Sequence, residues 1–422
     1  MKTAAVFLFV LMYLLMIARP GERPVFSLGT AAVFLVTGVL PVRDLPAAIN
    51  WNVLMMISGT MIIVYFFIES RMPGLLADLL LERSGNVMWV TIYMSLFAGV
   101  ISALIDNVAT VLMVAPVGLA ICRKLNMKPT EMILSIAVSS NLQGAATLVG
   151  DTTSIMLGDY AKMNFMDFFW MKGRPGIFFA VELGALATIP VMMLLFRKYQ
   201  EKTEAGERTK VTDPVPTVIL LGMVLALIAA SFLPDTPDMT NGAICLSLAF
   251  FSIMISCIRK KDPGPVRKAL KAVDFETLGL LLGLFVVIGG LTNVGVIDDM
   301  AGLIIKYGGS NIFLLYTIVV WGSVLISAFV DNIPYVATML PVLTAVTNTL
   351  GVEPYLLYFG LLSGATLGGN ITPIGASANI AAVGLLKKNG YEVSFREFMK
   401  IGVPYTLTAV CAGYLYFWLL WR

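Results

Sequence analysis

The sequence predicts an all-α polytopic membrane protein: two inverted-topology repeats of five transmembrane helices, each with a re-entrant helical hairpin and a broken helix. Three observations predict it. Of 422 residues, 58% are hydrophobic and 13% charged, and the mean hydropathy is +0.86, so most of the chain is lipid-embedded helix rather than one soluble core. A phrase occurs twice. Ile101-Ser-Ala-Leu-Ile-Asp106-Asn107-Val-Ala-Thr-Val-Leu-Met-Val-Ala-Pro116-Val117 returns, 225 residues on, as Ile326-Ser-Ala-Phe-Val-Asp331-Asn332-Ile-Pro-Tyr-Val-Ala-Thr-Met-Leu-Pro341-Val342, with eight of 17 positions identical. The one long charged stretch, residues 197–214, falls between the two copies. It divides the chain into an N-terminal repeat (1–196), a cytoplasmic charged linker (197–214) and a C-terminal repeat (215–422).

In order, apolar segments run over about Thr3 to Ala18, Val25 to Leu40, Trp51 to Ile68, Val87 to Ile105, Val108 to Ile121, Glu131 to Asp159 and Gly176 to Phe196. The second half repeats the series at about Val215 to Phe232, Ala243 to Cys257, Thr277 to Val296, Ile312 to Val330, Ile333 to Leu350, Tyr355 to Leu386 and Gly402 to Trp421. A signal peptide is the competing reading of the first segment. One Lys before it and Arg-Pro-Gly-Glu-Arg-Pro after it offer no small-residue cleavage site.

The repeat extends beyond the Asp-Asn phrase. Gly59 matches Gly283, Glu69 matches Asn293, and Gly144 to Ile155 matches Gly369 to Ile380 with Gly, Thr, Gly and Ile in register. Glu69 and Asn293 sit at segment ends and read as boundary residues. Glycine, proline, threonine and serine in mid-segment favour an unwound helix, which membranes tolerate only against protein or a water-filled cavity. Such interruptions at corresponding places of two halves point to a transporter's binding site.

Basic residues orient the chain. If each Asp-Asn pair tips a hairpin that enters and leaves on one side, each half crosses five times and the halves are inverted. Both termini then lie outside, in a cell (inner) membrane. The inner loops hold 22 of the 29 Lys and Arg residues, Arg19 and Arg23 among them. The outer loop at 233–240 carries Asp235 and Asp238 without a basic residue. A hairpin and two full crossings are both even, so charge alone does not separate them. Val87 to Ile105 is about 28 Å as helix and Val108 to Ile121 only about 21 Å; the alternative to a re-entrant tip is a polar turn at the far interface. The paired recurrence and Pro334 beside the second tip favour re-entry.

Several classes are excluded. A net charge of +3, with basic residues confined to loops, does not suit nucleic acid. Cys122, Cys245, Cys257 and Cys411 have no paired or metal-like spacing, and there is no histidine. No phosphate-loop motif is present. Two intramembrane aspartates raise the prospect of a protease dyad sharing a proton, but no Gly-x-Gly-Asp occurs. A passive channel is a further alternative. Glu182 reads as an interface carboxylate, with proton relay as its rival.

The residues also carry a family resemblance. Asp-Asn-Val-Ala-Thr-Val-Leu-Met, Gly-Ala-Ala-Thr-Leu-Val-Gly-Asp and Gly-Gly-Asn-Ile-Thr-Pro-Ile-Gly-Ala-Ser-Ala-Asn-Ile resemble the ion transporter superfamily, within it the arsenite permease, pink-eyed-dilution permease and citrate-transporter-like group. The resemblance implies two inverted repeats, alternating access of an elevator or related type, and a homodimer. It implies transport of a small inorganic or organic anion or oxyacid coupled to H⁺ or Na⁺, with Na⁺/H⁺ antiport and Na⁺-coupled di- or tricarboxylate transport as alternatives. One departure stands out: where many relatives read Gly-Asp-Pro-Pro-Asn, this chain has Gly150-Asp151-Thr152-Thr153-Ser154.

The candidate site follows. In the first repeat it comprises Asp106, Asn107, Thr110, Gly144, Thr147, Gly150, Asp151, Thr152, Thr153 and Ser154; in the second, Asp331, Asn332, Asn370, Thr372, Gly375, Ser377 and Asn379. Carboxylate, amide, hydroxyl and freed carbonyl oxygens suit Na⁺, and Asp106, Asn107, Asp331 and Asn332 are its candidate ligands. Half-helix N-termini at Asp151 to Ser154 and Ala376 to Asn379 suit an anion. Asp151 stands opposite Ala376 and Ala145 opposite Asn370, so the site is asymmetric. No Lys, Arg or His lies in the neighbouring apolar segments, and the expected countercharge of both aspartates is therefore the coupling cation or a proton, with Thr147 and Thr372 completing its shell. No cofactor is expected.

Overall fold

The computed structural model describes residues 1–124, 127–201, 208–234 and 236–422. Linker residues 202–207 and Asp235 of the expected outer loop lie outside the described residues.

Ten helices build the first repeat: α1 (Lys2–Ala18), α2 (Arg23–Val36), α3 (Leu45–Ala48), α4 (Trp51–Glu69), α5 (Met72–Glu82), α6 (Val87–Ser102), α7 (Asn107–Lys124), α8 (Thr130–Gly144), α9 (Thr152–Tyr160) and α10 (Ile177–Phe196). Ten more follow in the same order: α11 (Val215–Ser231), α12 (Thr240–Lys260), α13 (Gly264–Ala272), α14 (Phe275–Asn293), α15 (Val296–Gly308), α16 (Ile312–Ser327), α17 (Asn332–Leu350), α18 (Tyr355–Gly368), α19 (Ser377–Lys388) and α20 (Phe395–Trp421). Each helix of the first ten has its counterpart ten places later. Even the start signals match. Asn50 and Asp274 cap α4 and α14, and Asn86 and Asn311 cap α6 and α16, each side-chain oxygen accepting from backbone N–H groups of the first turn.

Among the described residues, six helices are long and apolar enough to cross a bilayer: α4, α10, α12, α14, α17 and α20. Five are expected spans, whereas α17 is the returning arm of the second hairpin. Trp170–Met171 and Arg174–Pro175 form a small antiparallel ribbon that the sequence did not announce. Of the linker, Arg208 pairs with Glu82, the Thr209 amide donates to Asp78 and the Thr212 amide to the Ser70 carbonyl, strapping it along α5.

The repeats interlock rather than sit side by side. α2 packs along α14 of the other repeat, and α12 along α4. Gly59 and Gly283 explain how: a Cβ on Gly59 would lie 2.5 Å from the Cys245 carbonyl carbon, and one on Gly283 2.5 Å from that of Ser27. Only glycine lets these backbones cross so closely, the usual device of helix packing in lipid. At the centre, Met132 to Gly144 of α8 and Leu356 to Gly368 of α18 are buried throughout.

Cross-links between the repeats show the inversion. Arg123, at the end of α7, bonds Asn389 in the α19–α20 loop, whereas Glu353 in the α17–α18 loop pairs with Lys172 in the α9–α10 loop. Equivalent loops thus lie on opposite faces. One face carries the linker and the pairs Arg259–Asp213, Lys260–Glu69 and Lys198–Glu131; the other carries Lys2–Asp299 and Lys162–Asp238.

The hairpins are re-entrant. α8 climbs about 22 Å from the linker face before it breaks, and α18 descends about 21 Å from the opposite face. The Thr147 hydroxyl, in the first break, donates to the Ala103 carbonyl at the tip between α6 and α7; Thr372 does the same to Ala328 between α16 and α17. Each tip therefore stops at the level of a helix break, well inside the bilayer, and the far-interface turn is excluded.

Candidate functional site

Two structures recur at the core, each a hairpin tip locked to a break. Gly150 and Gly375 make the lock possible: a Cβ at Gly150 would meet the Gly144 and Ser102 carbonyl oxygens at 2.5 and 2.6 Å, and one at Gly375 those of Gly369 and Ser327 at 2.6 and 2.8 Å. A Cβ at Gly144 would meet Asp151 Cβ and the Gly150 carbonyl oxygen, both at 3.3 Å. After each break the half-helix restarts from an extended N-cap, Asp151 for α9 and Ala376 for α19. Both starts agree with the sequence reading.

Across the middle runs a buried amide and hydroxyl chain. Asn107 Nδ2 donates to Asn141 Oδ1 at 2.8 Å, and Asn141 Nδ2 donates to the Thr366 carbonyl at 2.7 Å and Asn370 Oδ1 at 3.0 Å. Asn370 Nδ2 returns to the Val138 carbonyl at 2.9 Å. Ser140 Oγ donates to Ser102 Oγ and the Asn107 carbonyl, both at 3.1 Å. Thr153 Oγ1 donates to Asp151 Oδ2 at 2.7 Å and lies 3.2 Å from Thr366 Oγ1. Asn107, Asp151, Thr153 and Asn370 are thus brought together. Asn141, Thr366, Ser102 and Ser140 join them although the sequence reading passed them over. Ser102 and Ser327 stand within the repeated phrase, and Asn141 and Thr366 occupy equivalent places; that recurrence was the available signal.

Among the described residues, seven buried side-chain polar atoms have no hydrogen-bond partner, and three of them belong to the candidate site: Ser154 Oγ, Asn332 Nδ2 and Asn379 Oδ1. Ser154 and Asn379 are equivalent, each the third residue of its half-helix, and Asn332 begins α17. Asn379 Nδ2 is engaged by the Gly369 and Thr372 carbonyls, so its free oxygen is fixed in direction. Thr152, first in α9, is buried, as is Thr110, whose hydroxyl reaches only the Ile105 carbonyl within its own hairpin.

One expectation is overturned. Asp331 has a local cation: Arg23 Nη1 lies 2.8 Å from its Oδ2, which also accepts from Ser377 Oγ at 3.1 Å, while Oδ1 takes the Ile333 amide at 3.1 Å. Arg23 opens α2, far away in sequence, and the search for a partner among adjacent segments missed it. Of the candidate Na⁺ ligands Asp106, Asn107, Asp331 and Asn332, Asp331 thus already has its countercharge from the protein. Among the described residues, no group of three or more His, Cys, Asp or Glu side chains could hold a metal. Thr147 and Thr372 give their protons to tip carbonyls and so fasten the hairpins, while their hydroxyl oxygens keep lone pairs.

Asp106 differs from Asp331. Its Oδ1 accepts the Val108 and Ala109 amides at 3.0 and 3.2 Å, and it faces a cavity of about 310 Å³ lined by Thr60, Tyr65, Leu112, Ala272 and Asp274. That cavity lies toward the linker face. A cavity of about 460 Å³ lies toward the other, lined by Ala48, Asn50, Asn52, Asp159, Phe285 and Ala337 among others. The two are mates under the repeat: Ala272 corresponds to Ala48, Asp274 to Asn50, Met61 to Phe285, Val64 to Ile288 and Leu112 to Ala337. Asp159, at the end of α9, is held by both Asn50 and Asn52 at the start of α4.

The family model described as citrate transporter matches residues 13–362. The chain belongs to the citrate transporter family. An uncharacterised transporter of Mycobacterium bovis is 30% identical over 433 residues, covering 99% of this chain and 98% of the relative. The human P protein is 27% identical over 470 residues, which cover 92% of this chain and 56% of that protein. In fold, this member of the citrate transporter family is similar to the YdaH transporter of Alcanivorax borkumensis (TM-score 0.60, 13% identity, 98% of both chains). It is also similar to MtrF of Neisseria gonorrhoeae, described as illuminating a class of antimetabolite efflux pumps (TM-score 0.60, 16% identity, 92% of this chain and 83% of that one). The chain is a multi-pass membrane transporter.

Proposed function

We propose that the protein is a secondary active transporter that couples H⁺ or Na⁺ to movement of a small anion, by alternating access through the buried layer between its two cavities. The observation that carries the proposal is the matched pair of cavities, one toward each face, flanking a layer whose Ser154, Asn332 and Asn379 atoms are buried without partners. Leaving such an atom unsatisfied costs about 1–3 kcal/mol, and a bound solute offsets that cost. The positive ends of α9 and α19 favour an anion there, with Asp151 at one of them limiting how much negative charge the first half-site accepts.

Carboxylates head the candidate substrates because the family model describes a citrate transporter; arsenite-like oxyacids and Na⁺/H⁺ exchange follow. The linker face is the cytoplasmic side of the cell membrane by its basic residues, which puts both termini outside, and the working unit is a homodimer. The test is flux in proteoliposomes for citrate, succinate, arsenite, Na⁺ and Li⁺, with and without a pH gradient. Uptake of an anion driven by a Na⁺ or proton gradient supports the reading. Flux that needs ATP, or currents at channel rates, would refute it.

A further inference from the structure

The two hairpins answer the same electrostatic problem differently. Asp331 is 3% exposed and is met by Arg23, whose side chain is 14% exposed. The elbow between α1 and α2 holds this guanidinium in place. Pro20 and Pro24 stiffen the turn, and Tyr13 donates to the Pro334 carbonyl at 2.6 Å and lies 2.8 Å from Thr338 Oγ1, clasping the first two turns of α17. Only about 60 Å³ of space remains beside the pair. Aligning the two close crossings, Ser27 over Gly283 and Cys245 over Gly59, places Asn241 opposite Arg23. The first hairpin thus has an uncharged residue at the equivalent position, and Asp106 faces a cavity of about 310 Å³.

We infer that Arg23 is a tethered countercation: it fills the cation position of the second hairpin permanently, and leaves Asp106 as the single hairpin aspartate at which a coupling ion exchanges. A buried carboxylate is held only against a positive charge or a proton. With a guanidinium fixed to one and, among the described residues, no ion pair to the other, the ion that leaves and returns at the hairpins is that of Asp106. This inference rests on the ion-coupled reading above and narrows it, since the exchangeable charge is then one per chain at the hairpins.

The test uses the full-length protein in lipid nanodiscs. Thermal unfolding is followed against Na⁺ and Li⁺, with choline as control, and against pH. The wild type should show one saturable ion- or proton-dependent stabilisation, and Asp106→Asn should abolish it. Adding Arg23→Gln to Asp106→Asn should restore an ion- or proton-dependent stabilisation, now through Asp331, and Asp331→Asn should remove it again. The pairing has its own readout: Arg23→Gln and Asp331→Asn should each lower the midpoint more than the double variant does. Ion or proton dependence that persists in Asp106→Asn overturns the inference. Absence of any ion or pH response in the wild type refutes the coupled reading, whereas additive Arg23 and Asp331 effects refute the tethered pair itself.

Discussion

Thr153 Oγ1 lies 3.2 Å from Thr366 Oγ1, joining the restarted half-helix of one repeat to the unbroken half of the other. Thr153 spends its proton on Asp151, so Thr366 donates to Thr153, and the Asp151 carboxylate is tied through one hydroxyl to the opposite repeat. Thr153→Val is expected to strip Asp151 of this donor, lowering stability by about 1–3 kcal/mol and reducing substrate flux. Thr153→Ser should retain both. Thermal unfolding and vesicle uptake on the same preparations decide it, and wild-type behaviour of Thr153→Val would remove Asp151 from the site.

The close crossings predict a matched pair of packing defects. Gly59→Ala and Gly283→Ala each place a methyl within 2.5 Å of backbone carbon that cannot retreat. Each should lower stability by about 1–3 kcal/mol, the usual range for overpacking. Gly222→Ala and Gly302→Ala, whose Cβ would meet nothing within 4 Å, serve as controls.

Sidedness is testable at the loop contacts that establish the inversion. In a cysteine-free background, Lys172→Cys and Glu353→Cys should react with an impermeant reagent added outside intact cells, and Arg123→Cys only after the membrane is opened. Labelling of all three from one side would contradict the inverted repeats.

A pH prediction comes from the start of α20. Ser394 and Glu397 form a capping box, in which the backbone and hydroxyl of Ser394 hold the Glu397 carboxyl below the usual glutamate range. A carboxyl lowered in the folded state stabilises fully above its unfolded value, and the gain is lost as pH falls through the folded one. Amides of the first turn of α20 should exchange faster at acid pH than near neutrality after correction for intrinsic rates. Ser394→Ala should raise their exchange at neutral pH, by about 1 kcal/mol of opening free energy, and flatten that pH dependence.

The sequence showed the fold because duplication made its polar residues stand out twice. Asp106 and Asp331, the glycines at 150 and 375, and the breaks after Gly144 and Gly369 were all visible as recurring exceptions in apolar segments. Asn141 and Thr366 recur as well, but as different residue types, so an identity match passed over them. Arg23 was invisible for another reason: it is 308 residues from Asp331, and its loop position read as a topology signal. A sequence shows that Thr147 has a hydroxyl at a break but not where its proton goes, and for that reason its role as fastener emerged only from the geometry.

The exchange of partners between α2 and α14, and between α4 and α12, has a consequence for synthesis. As the chain leaves the ribosome, α2 and α4 enter the membrane with their glycine-crossing faces uncovered, and the helices that cover them arrive only after the whole first repeat has been made. Neither half can reach its final packing alone, so the two copies form one obligate folding unit. Half-chains produced separately should be short-lived singly and accumulate together when co-expressed, because each carries the missing surface of the other.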